Sequence, residues 1–333
     1  MLNFQRNLIA PTELKRLLPL TKEQIEIKRN NDISLVNAIE KHDKFIVVCG
    51  PCAADNFDAV VEYCKMLKKL SDKVNDKILI CPRIFTAKPR SRGEGYLGML
   101  FEQNSNGETD VNKGLIACRK LFIECLSTTK LPLADELLYF EQYEYFEDVV
   151  SYLFIGARTS ESAPHRNFAS GLDVPVGIKN PAGGNLKSLA EALYCVKNPK
   201  VCLYNGNQYL TSGNSYAHVV LRGQINEDGT YVSNCNENSL KRLCSYCGEL
   251  NVPKPFILMD CSHANSGKYP KKQIENALYC VENLPKIGGI MLESYINEGN
   301  SETAFGTSRT DPCLSFADTE SLIIKLHSIL SKK

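Results

Sequence analysis

The sequence has no tryptophan, almost no net charge and no long apolar run. Its 333 residues carry 39 Lys and Arg against 38 Asp and Glu, so the formal net charge is +1. This balance excludes a strongly basic nucleic-acid-binding chain and an acidic tail. The first twenty residues lack the apolar segment of a secretory signal, and no stretch reaches the length of a membrane span. We therefore expect a cytoplasmic protein without a membrane partner.

The remaining composition is that of a globular protein. Hydrophobic residues make up 43% of the chain and charged residues 23%. These fractions allow a sizeable core and exclude both a disordered chain and a collagen-like repeat. At roughly 150 residues per domain the length allows two domains, and one barrel of about 250 residues with extensions fits equally well.

The chain has fourteen cysteines, which is unusual for a cytosolic protein of this size. We predict that most are buried free thiols, because many occupy positions that suit a small apolar residue. Two pairs have C-x-x-C spacing, Cys49 with Cys52 and Cys244 with Cys247. A shared zinc site is disfavoured because about 190 residues separate the pairs. A thioredoxin-type dithiol at Cys49 is also disfavoured, since no tryptophan precedes it and eight strand signals exceed one thioredoxin unit.

Short apolar runs, most of them followed by a helical pattern, recur along the sequence. Eight runs are predicted strands: 45–52, 77–85, 132–138, 152–158, 175–180, 218–223, 256–263 and 289–294. Strands that are apolar on both faces and separated by helices favour a parallel sheet. Eight such units predict a (β/α)8 TIM barrel, and a doubly wound eight-stranded sheet is the alternative.

Two segments lie outside this repeating pattern. Residues 1–44 precede the first strand and are predicted to form an N-terminal helical extension of a catalytic barrel at 45–333. Residues 224–234 contain Glu-Asp-Gly and predict a β-hairpin insertion after strand six. Since no linker divides the chain, we expect one catalytic domain with an N-terminal arm.

Charged or metal-ligating residues follow all eight predicted strands, where the catalytic residues of barrels lie. In chain order they are Cys52, Arg83, Lys88, Arg90, Glu136, Arg158, Lys179, Arg222, Asp260, His263, Glu293 and Asp311. One charged residue at a strand end is ordinary, whereas a charged or ligating residue at every strand end indicates a site.

Four of these residues predict a divalent transition metal ion: Cys52, His263, Glu293 and Asp311. A thiolate, an imidazole and two carboxylates form a mixed soft and hard ligand set. Calcium would take only oxygen ligands, and structural zinc usually takes more sulfur. Each residue alone has an ordinary explanation, such as a packed cysteine or a hydrogen-bonded core histidine. Their convergence on one barrel rim favours ligation.

The cations at the strand ends predict a small substrate with several negative charges. They are Arg83, Lys88, Arg90, Arg158, Lys179 and Arg222. An unpaired charge beside a buried strand is costly, and guanidinium groups match the oxygens of phosphate and carboxylate. A basic stripe with interleaved aromatic residues is missing, so we predict no nucleic-acid partner.

A series of short motifs runs along the chain in a fixed order. They are Gly50-Pro51-Cys52, Lys88-Pro89-Arg90-Ser91, Ile155-Gly156-Ala157-Arg158-Thr159, Pro175-Val176-Gly177 with Lys179-Asn180, Leu221-Arg222-Gly223, Ser262-His263-Ala264-Asn265-Ser266, Glu293-Ser294 with Glu298-Gly299-Asn300, and Thr310-Asp311-Pro312-Cys313. In order and spacing they resemble the type I 3-deoxy-D-arabino-heptulosonate 7-phosphate (DAHP) synthase family over essentially the whole chain.

The resemblance implies an enzyme that condenses phosphoenolpyruvate with erythrose 4-phosphate to give DAHP and phosphate. This is the first step of the shikimate pathway and of aromatic amino acid biosynthesis. The implied partners are these two small molecules and further copies of the chain, in a homodimer or homotetramer. The N-terminal arm would then carry subunit contacts and possible regulation.

The resemblance also implies a role for each site residue. Carried over by position, the metal ligands are Cys52, His263, Glu293 and Asp311, for Mn, Fe, Co or Zn. The residues expected to hold phosphoenolpyruvate are Arg83, Arg158, Lys179 and Arg222, and Asp260 is grouped with them. Lys88 would stand near the aldehyde, Arg90 and Ser91 would take the aldose phosphate, and Glu136 would help orient water or the phosphate-bearing end. Lys88, Cys52 and His263 are the expected catalytic residues.

The loop after Lys88 departs from the family's pattern. Arg92 replaces a threonine, and Leu97 replaces a lysine expected to contact phosphoenolpyruvate. Tyr139 and Tyr295 stand where the family often has an aspartate and a histidine. We hypothesise that Arg92 restores the lost charge or that the enzyme takes a modified aldose. The alternatives are therefore a related synthase for another phosphorylated aldose and a non-catalytic, sugar-phosphate-binding regulatory protein.

Overall fold

The computed structural model describes residues 1–101, 109–252 and 254–333. The strands in these ranges are β1 (Phe45–Gly50), β2 (Ile78–Pro82), β3 (Ala134–Glu136), β4 (Tyr152–Ile155), β5 (Val176–Lys179), β6 (Val201–Tyr204), β7 (Asn207–Leu210), β8 (His218–Leu221), β9 (Gln224–Ile225), β10 (Tyr231–Val232), β11 (Ile257–Asp260) and β12 (Ile287–Glu293). The helices are α1 (Pro11–Leu17), α2 (Lys22–Glu40), α3 (Phe57–Val74), α4 (Val111–Thr129), α5 (Tyr143–Phe146), α6 (Ala163–Ala169), α7 (Leu186–Lys197), α8 (Glu237–Glu249), α9 (His263–Ser266), α10 (Lys272–Asn283) and α11 (Phe316–Leu330), with a 3-10 helix at Phe140–Gln142. None of the helices in these ranges is both long and apolar enough to cross a membrane.

Eight of the described strands form one parallel sheet that closes on itself. Their order is β2-β1-β12-β11-β8-β5-β4-β3. The two ends of this series meet where Arg83, directly after β2, forms a parallel bridge with Ala134 of β3. The predicted (β/α)8 TIM barrel is therefore confirmed, and each predicted strand coincides with a barrel strand. The doubly wound alternative is wrong, because its edge strands would not meet.

The barrel strands alternate between two apolar environments. In β1, Ile46 and Val48 belong to the cluster inside the barrel, whereas Val47 and Cys49 belong to the larger cluster shared with the surrounding helices. Successive side chains of a strand point to opposite faces, so both faces of each barrel strand must be apolar. This requirement explains why the strands are continuous apolar runs in the sequence.

The N-terminal extension contains α1 and α2. The Thr21 hydroxyl accepts from the backbone N–H of Gln24, and the Thr21 N–H donates to Gln24 Oε1, which forms a capping box at the start of α2. Leu35, Ala38 and Ile39 of α2 join the apolar cluster inside the barrel. The extension is thus helical, as predicted. The division of the chain at residue 44 and the role of the arm in subunit contacts stay predictions.

Two β-hairpins extend from the barrel in the described part of the chain. The hairpin predicted at 224–234 is confirmed, because β9 and β10 pair in antiparallel register through Ile225 and Tyr231. A second hairpin, formed by β6 and β7, lies between α7 and β8. Its turn is Asn205-Gly206, and both residues have positive φ, 48° and 72°. Such a pair adopts the backbone conformation of a tight hairpin turn.

The cysteines are all free thiols, and eleven of the fourteen are buried. This agrees with the prediction that most of them act as small apolar residues. Cys49 points into the cluster between β1 and the helices, whereas Cys52 lies beyond the end of β1 at the rim.

His218 is a fully buried histidine at the start of β8. Its Nδ1 lies 3.0 Å from the carbonyl oxygen of Tyr216, so Nδ1 carries a proton and donates to that oxygen. Nε2 then accepts from the hydroxyl of Tyr152, 2.5 Å away. Burial lowers the pKa of His218 to about 4, the Tyr216 carbonyl opposes this effect, and the charge of Lys197 adds to it.

We predict that His218 makes the fold less stable in acid. Because its pKa is lower in the folded chain than in the unfolded chain, the unfolded state binds the proton first as the pH falls. The contribution of neutral His218 to the free energy of unfolding amounts to about 3 kcal/mol. It is complete above a pH of about 6.5 and is lost as the pH falls towards 4. His218→Gln keeps one donor and one acceptor without titrating. Urea unfolding across this pH range is expected to show a larger loss in the free energy of unfolding for the wild type than for His218→Gln. Equal losses in the two proteins would contradict the prediction.

Candidate active site

The carboxyl ends of the barrel strands bring the predicted site residues to one rim. The last residues of β3, β5, β11 and β12 are Glu136, Lys179, Asp260 and Glu293. Arg83 and Arg222 directly follow β2 and β8, and the residues two or three positions past a strand end are Cys52, Arg158 and His263. Since all barrel strands are parallel, these positions face the same side of the barrel.

A thiol and two carboxylates converge at this rim. The ligand atoms of Cys52, Glu293 and Asp311 all lie within 4.8 Å of one another. His263, the fourth predicted ligand, lies beside this group, with its Nε2 3.5 Å from Glu293 Oε1. We call these four residues the metal-ligand group. Its mixture of sulfur, oxygen and nitrogen donors suits a divalent transition metal ion.

The imidazole of His263 is oriented by Asp260. Nδ1 of His263 lies 2.8 Å from Asp260 Oδ2, and it also lies 2.8 Å from the hydroxyl of Ser262. Because a carboxylate only accepts, Nδ1 donates its proton to Asp260, and Nε2 keeps its lone pair on the side of Glu293. Carboxylate contacts of this kind fix the ring of a metal-binding histidine.

Each acidic member of the metal-ligand group has a cation next to it. Lys88 Nζ lies 2.6 Å from Cys52 Sγ, and Arg83 Nη2 lies 3.2 Å from Glu293 Oε1. Burial raises the pKa of Cys52 to about 11, and the charge of Glu293 adds to this effect while Lys88 and Arg83 oppose it. Asp311 keeps a lowered pKa despite burial because of the nearby lysines.

Two of the rim cations are buried with donors that have no protein partner. Arg83 packs over the ring of Phe85, 3.9 Å from its centroid, and donates to the carbonyl of Pro51. Its Nε has no hydrogen-bond partner among the described residues, and Nη1 of Arg222 has none either. Lys179, by contrast, pairs with Asp260 at 2.9 Å. Buried donors without partners are costly unless a ligand accepts from them.

The outer part of the rim carries Arg90, Ser91 and Arg158. Arg158 is exposed, and its Nε donates to the Ser91 hydroxyl at 2.9 Å. Arg90 Nε donates to the carbonyl of Tyr96 at 3.1 Å. Glu136 is buried, and its Oε1 has no hydrogen-bond partner in the described parts of the chain. The structure therefore connects Arg158 to the loop of Arg90 and Ser91.

Arg92 is a predicted site residue that the structure does not connect to the other predicted site residues. It is exposed and makes no hydrogen bond or ion pair with any residue that the structure describes. The half-buried Leu97 accepts at its backbone oxygen from the N–H of Lys88, 2.8 Å away. The guanidinium of Arg92 is therefore not held in a fixed position by any described residue, and the hypothesis that it restores a charge to the site stays a prediction.

Several residues that support the site were not identified from the sequence. Lys268 Nζ lies 3.0 Å from Asp311 Oδ1. Gln273 holds the backbone of Glu293 on both sides, accepting from its N–H at 2.8 Å and donating to its carbonyl at 3.1 Å. Asn180 Oδ1 accepts from the backbone N–H of Arg222 at 2.9 Å. Asn180 lies in one of the quoted motifs, which was the available signal, whereas Gln273 is an ordinary helix residue in the sequence.

Fold and rim together define a barrel enzyme that acts on a small, highly anionic substrate. The chain belongs to the DAHP synthetase I family, whose model matches residues 23–326. The family resemblance seen in the motifs is thus confirmed.

Individual relatives match the chain over almost its full length. It is 34% identical to the Tyr-sensitive phospho-2-dehydro-3-deoxyheptonate aldolase of Escherichia coli strain K12, over 97% of this chain and 93% of that protein. It is 30% identical to the Trp-sensitive enzyme of the same strain, over 98% of this chain and 96% of that protein. A solved structure of phospho-2-dehydro-3-deoxyheptonate aldolase from Francisella tularensis SCHU S4 superposes with a TM-score of 0.92 at 28% identity, covering 99% of each chain.

We predict that the buried Lys179–Asp260 pair is strongly coupled. Lys179→Met leaves the Asp260 carboxylate buried with one cationic partner fewer, which is expected to lower the free energy of unfolding by about 3–5 kcal/mol. Adding Asp260→Asn removes that charge. The double variant is therefore expected to lose less free energy of unfolding than the sum of the two single losses, with a difference of at least about 1 kcal/mol. Urea unfolding of the four proteins measures the coupling, and additive losses would contradict it.

Proposed function

We propose that the chain is a DAHP synthase, a transferase that condenses phosphoenolpyruvate with erythrose 4-phosphate to give DAHP and phosphate. The observation that carries the proposal is the presence of unpartnered, buried guanidinium donors on Arg83 and Arg222 at the rim that holds the metal-ligand group. These donors suit the phosphate and carboxylate oxygens of phosphoenolpyruvate. Membership of the DAHP synthetase I family supports the choice of reaction.

The metal-ligand group would hold a divalent transition metal ion, Mn, Fe, Co or Zn. The donor set fits such an ion, since Cys52, Glu293 and Asp311 converge within 4.8 Å and the imidazole of His263 stands beside them with its other nitrogen held by Asp260. When bound, the ion would polarise the aldehyde oxygen of the aldose as a Lewis acid.

The buried cations bind phosphoenolpyruvate. Arg83, Lys179 and Arg222 surround its negative charges, and the exposed Arg158 closes the site from outside. Asp260 keeps Lys179 and His263 in place through contacts of 2.9 Å and 2.8 Å. Holding two mutually repelling anions in reacting geometry is a positioning effect that lowers the barrier by several kcal/mol.

Carbon–carbon bond formation uses the enol character of phosphoenolpyruvate. Its methylene carbon attacks the aldehyde carbon, and the carbonyl electron pair moves to the oxygen. Lys88 donates a proton to that oxygen as charge develops. Water then adds to the former enol carbon and phosphate leaves. Glu136, whose buried Oε1 has no protein partner in the described ranges, orients this water.

A second candidate is a synthase for another phosphorylated aldose. Arg90 and Ser91 take the aldose phosphate in either case. The observation that favours the second candidate is the loop from Ser91 to Leu97. In this loop an apolar side chain would replace a cation, and the guanidinium of Arg92 has no hydrogen-bond or ion-pair partner among the described residues. Because this loop directly follows Arg90 and Ser91, its altered charge would act on both substrates, and an aldose with a different charge could compensate for it.

We also propose that the protein is a homodimer or homotetramer. The hairpin of β6 and β7 supports this proposal, because the side chains of Leu203 and Leu210 are 77% and 80% exposed. Exposed apolar patches commonly mark contacts between proteins. The molar mass in solution distinguishes one, two and four copies. The cytoplasmic location stays a prediction.

The proposed reaction is tested with phosphoenolpyruvate, erythrose 4-phosphate and a divalent metal ion. We expect one phosphate released for each phosphoenolpyruvate consumed, and loss of activity on chelation that the metal reverses. Cys52→Ser is expected to abolish metal binding and lower kcat by about 100-fold or more, because it removes the sulfur ligand. Cys49→Ser is the matched control, since Cys49 lies in the same strand segment but faces the helices. A metal-loaded wild type that is inactive with every aldose phosphate would support the non-catalytic alternative.

Leu97→Lys tests the role of the altered loop. If Leu97 limits the reaction with erythrose 4-phosphate, restoring a cation is expected to lower the KM for phosphoenolpyruvate by about 3- to 10-fold, as one additional charged hydrogen bond allows. Steady-state kinetics with several phosphorylated aldoses measure this effect and the preference of the wild type. An unchanged KM, together with efficient use of another aldose phosphate, would favour the second candidate.

A further inference from the structure

We infer that Asp55 and Tyr295 are positioning residues that hold the segment of Asp311 against the rest of the metal-ligand group. The inference rests on the proposed metal site and extends it to two residues outside the predicted site. It concerns how the three segments that carry Cys52, Glu293 and Asp311 are held together, although each comes from a different part of the chain.

A single carboxylate connects these segments. Asp55 lies three residues after Cys52, on the segment that follows β1. Its Oδ1 accepts from the hydroxyl of Tyr295 at 3.0 Å, and its Oδ2 accepts from the backbone N–H of Arg309 at 3.0 Å. Tyr295 lies two residues after Glu293, and Arg309 lies two residues before Asp311. The two oxygens of Asp55 therefore tie the Cys52 segment to the segments of both other acidic ligands.

Tyr295 presents its hydroxyl to Asp55 from a fixed position. Its side chain is fully buried, and its ring packs edge-on against the ring of Tyr63 with 5.9 Å between centroids. Its backbone N–H donates to the carbonyl of Leu314 at 2.9 Å. A ring packed in this way has little freedom to move, so the hydroxyl acts as a rigid donor.

The Arg309 segment is held from a second direction by Tyr96. The guanidinium of Arg309 lies over the ring of Tyr96, 4.2 Å from its centroid. The hydroxyl of Tyr96 donates to the carbonyl of Ala54 at 2.7 Å. Ala54 is the neighbour of Asp55, so the contact of Arg309 with Tyr96 and its hydrogen bond to Asp55 both lead back to the segment that carries Cys52.

Asp311 needs such support more than the other acidic ligand does. Glu293 is the last residue of β12, where the sheet fixes its backbone. Asp311 lies in the connection between β12 and α11, outside any strand or helix. Its carboxylate must nevertheless stay within 4.8 Å of the Cys52 and Glu293 ligand atoms. Residues that orient metal ligands from outside typically change metal affinity by about 10- to 100-fold when they are removed.

The test measures Co²⁺ affinity by competition with a chromophoric chelator, together with the thiolate-to-cobalt absorption band. Asp55→Ala removes both accepted hydrogen bonds and is expected to weaken Co²⁺ binding at least about tenfold and to change the band. Asp55→Asn is expected to stay within about threefold of the wild type, because its amide oxygen accepts from Arg309 and its amide nitrogen donates to the Tyr295 oxygen. Tyr295→Phe removes one bond without removing the ring and is expected to fall between the two.

Asp228→Ala is the matched control. Asp228 also accepts two hydrogen bonds, from the backbone N–H and hydroxyl of Thr230, but it lies in the exposed turn between β9 and β10. It is expected to leave the Co²⁺ affinity and the band unchanged. If Asp55→Ala does not fold, as judged by circular dichroism, Tyr295→Phe and Asp55→Asn decide the question.

The outcomes separate this inference from the proposed function. Tight Co²⁺ binding by the wild type with unchanged affinity in Asp55→Ala or Tyr295→Phe would overturn the positioning role and leave the proposed function standing. An Asp55→Asn variant as weak as Asp55→Ala would also overturn it, since the amide restores both bonds. No Co²⁺ binding by the wild type would overturn the metal site and the inference with it.

Discussion

A row of buried or half-buried polar groups, in which a neutral imidazole links two ion pairs, is the constraint on which the site depends. Lys179 meets Asp260 at 2.9 Å, Asp260 meets His263 at 2.8 Å, His263 meets Glu293 at 3.5 Å, and Glu293 meets Arg83 at 3.2 Å. A buried charge is tolerated only when a partner of opposite sign and further hydrogen bonds compensate for lost water. Each member of the row therefore requires its neighbours, and the five residues come from four different strand ends. The barrel must hold these ends within hydrogen-bond distance for any one charge to remain.

The fold and the membership of the rim could be predicted because both follow from short, local patterns. The barrel strands are apolar on both faces, which distinguishes runs such as β1 and β11 from amphipathic segments. A charge directly after such a run, as at Arg83 or Arg222, stands out because nothing within the strand resembles it. Parallel order then places all strand ends on one side, so the sequence positions alone were enough to group cations and ligands.

The supporting contacts could not be predicted because they join residues that are far apart in the chain and ordinary in type. Asp55 and Tyr295 are 240 positions apart, and although each follows a predicted metal ligand closely, no pattern in the sequence indicates that the two contact each other. Gln273 is one polar residue among several on α10, and only the folded chain shows that it faces the backbone of Glu293. The hairpin of β6 and β7 was missed as a unit for a different reason. β6 is a short apolar run, but β7 begins with two polar residues and gives no strand pattern, although Asn205-Gly206 was a usable turn signal.

The closure of the barrel between β2 and β3 has a consequence for how the protein acquires its site. This seam consists of the bridge between Arg83 and Ala134, the hydrogen bond from the N–H of Ile84 to the Ala134 carbonyl at 2.8 Å, and the contacts of Asp135 with Thr86. Arg83 and Ala134 are 51 positions apart, so forming the seam closes a loop of about 50 residues and carries the entropic cost of that closure. Arg83 is itself part of the seam. A chain in which this seam is open therefore lacks a positioned Arg83 guanidinium, so closing the seam also completes this part of the rim.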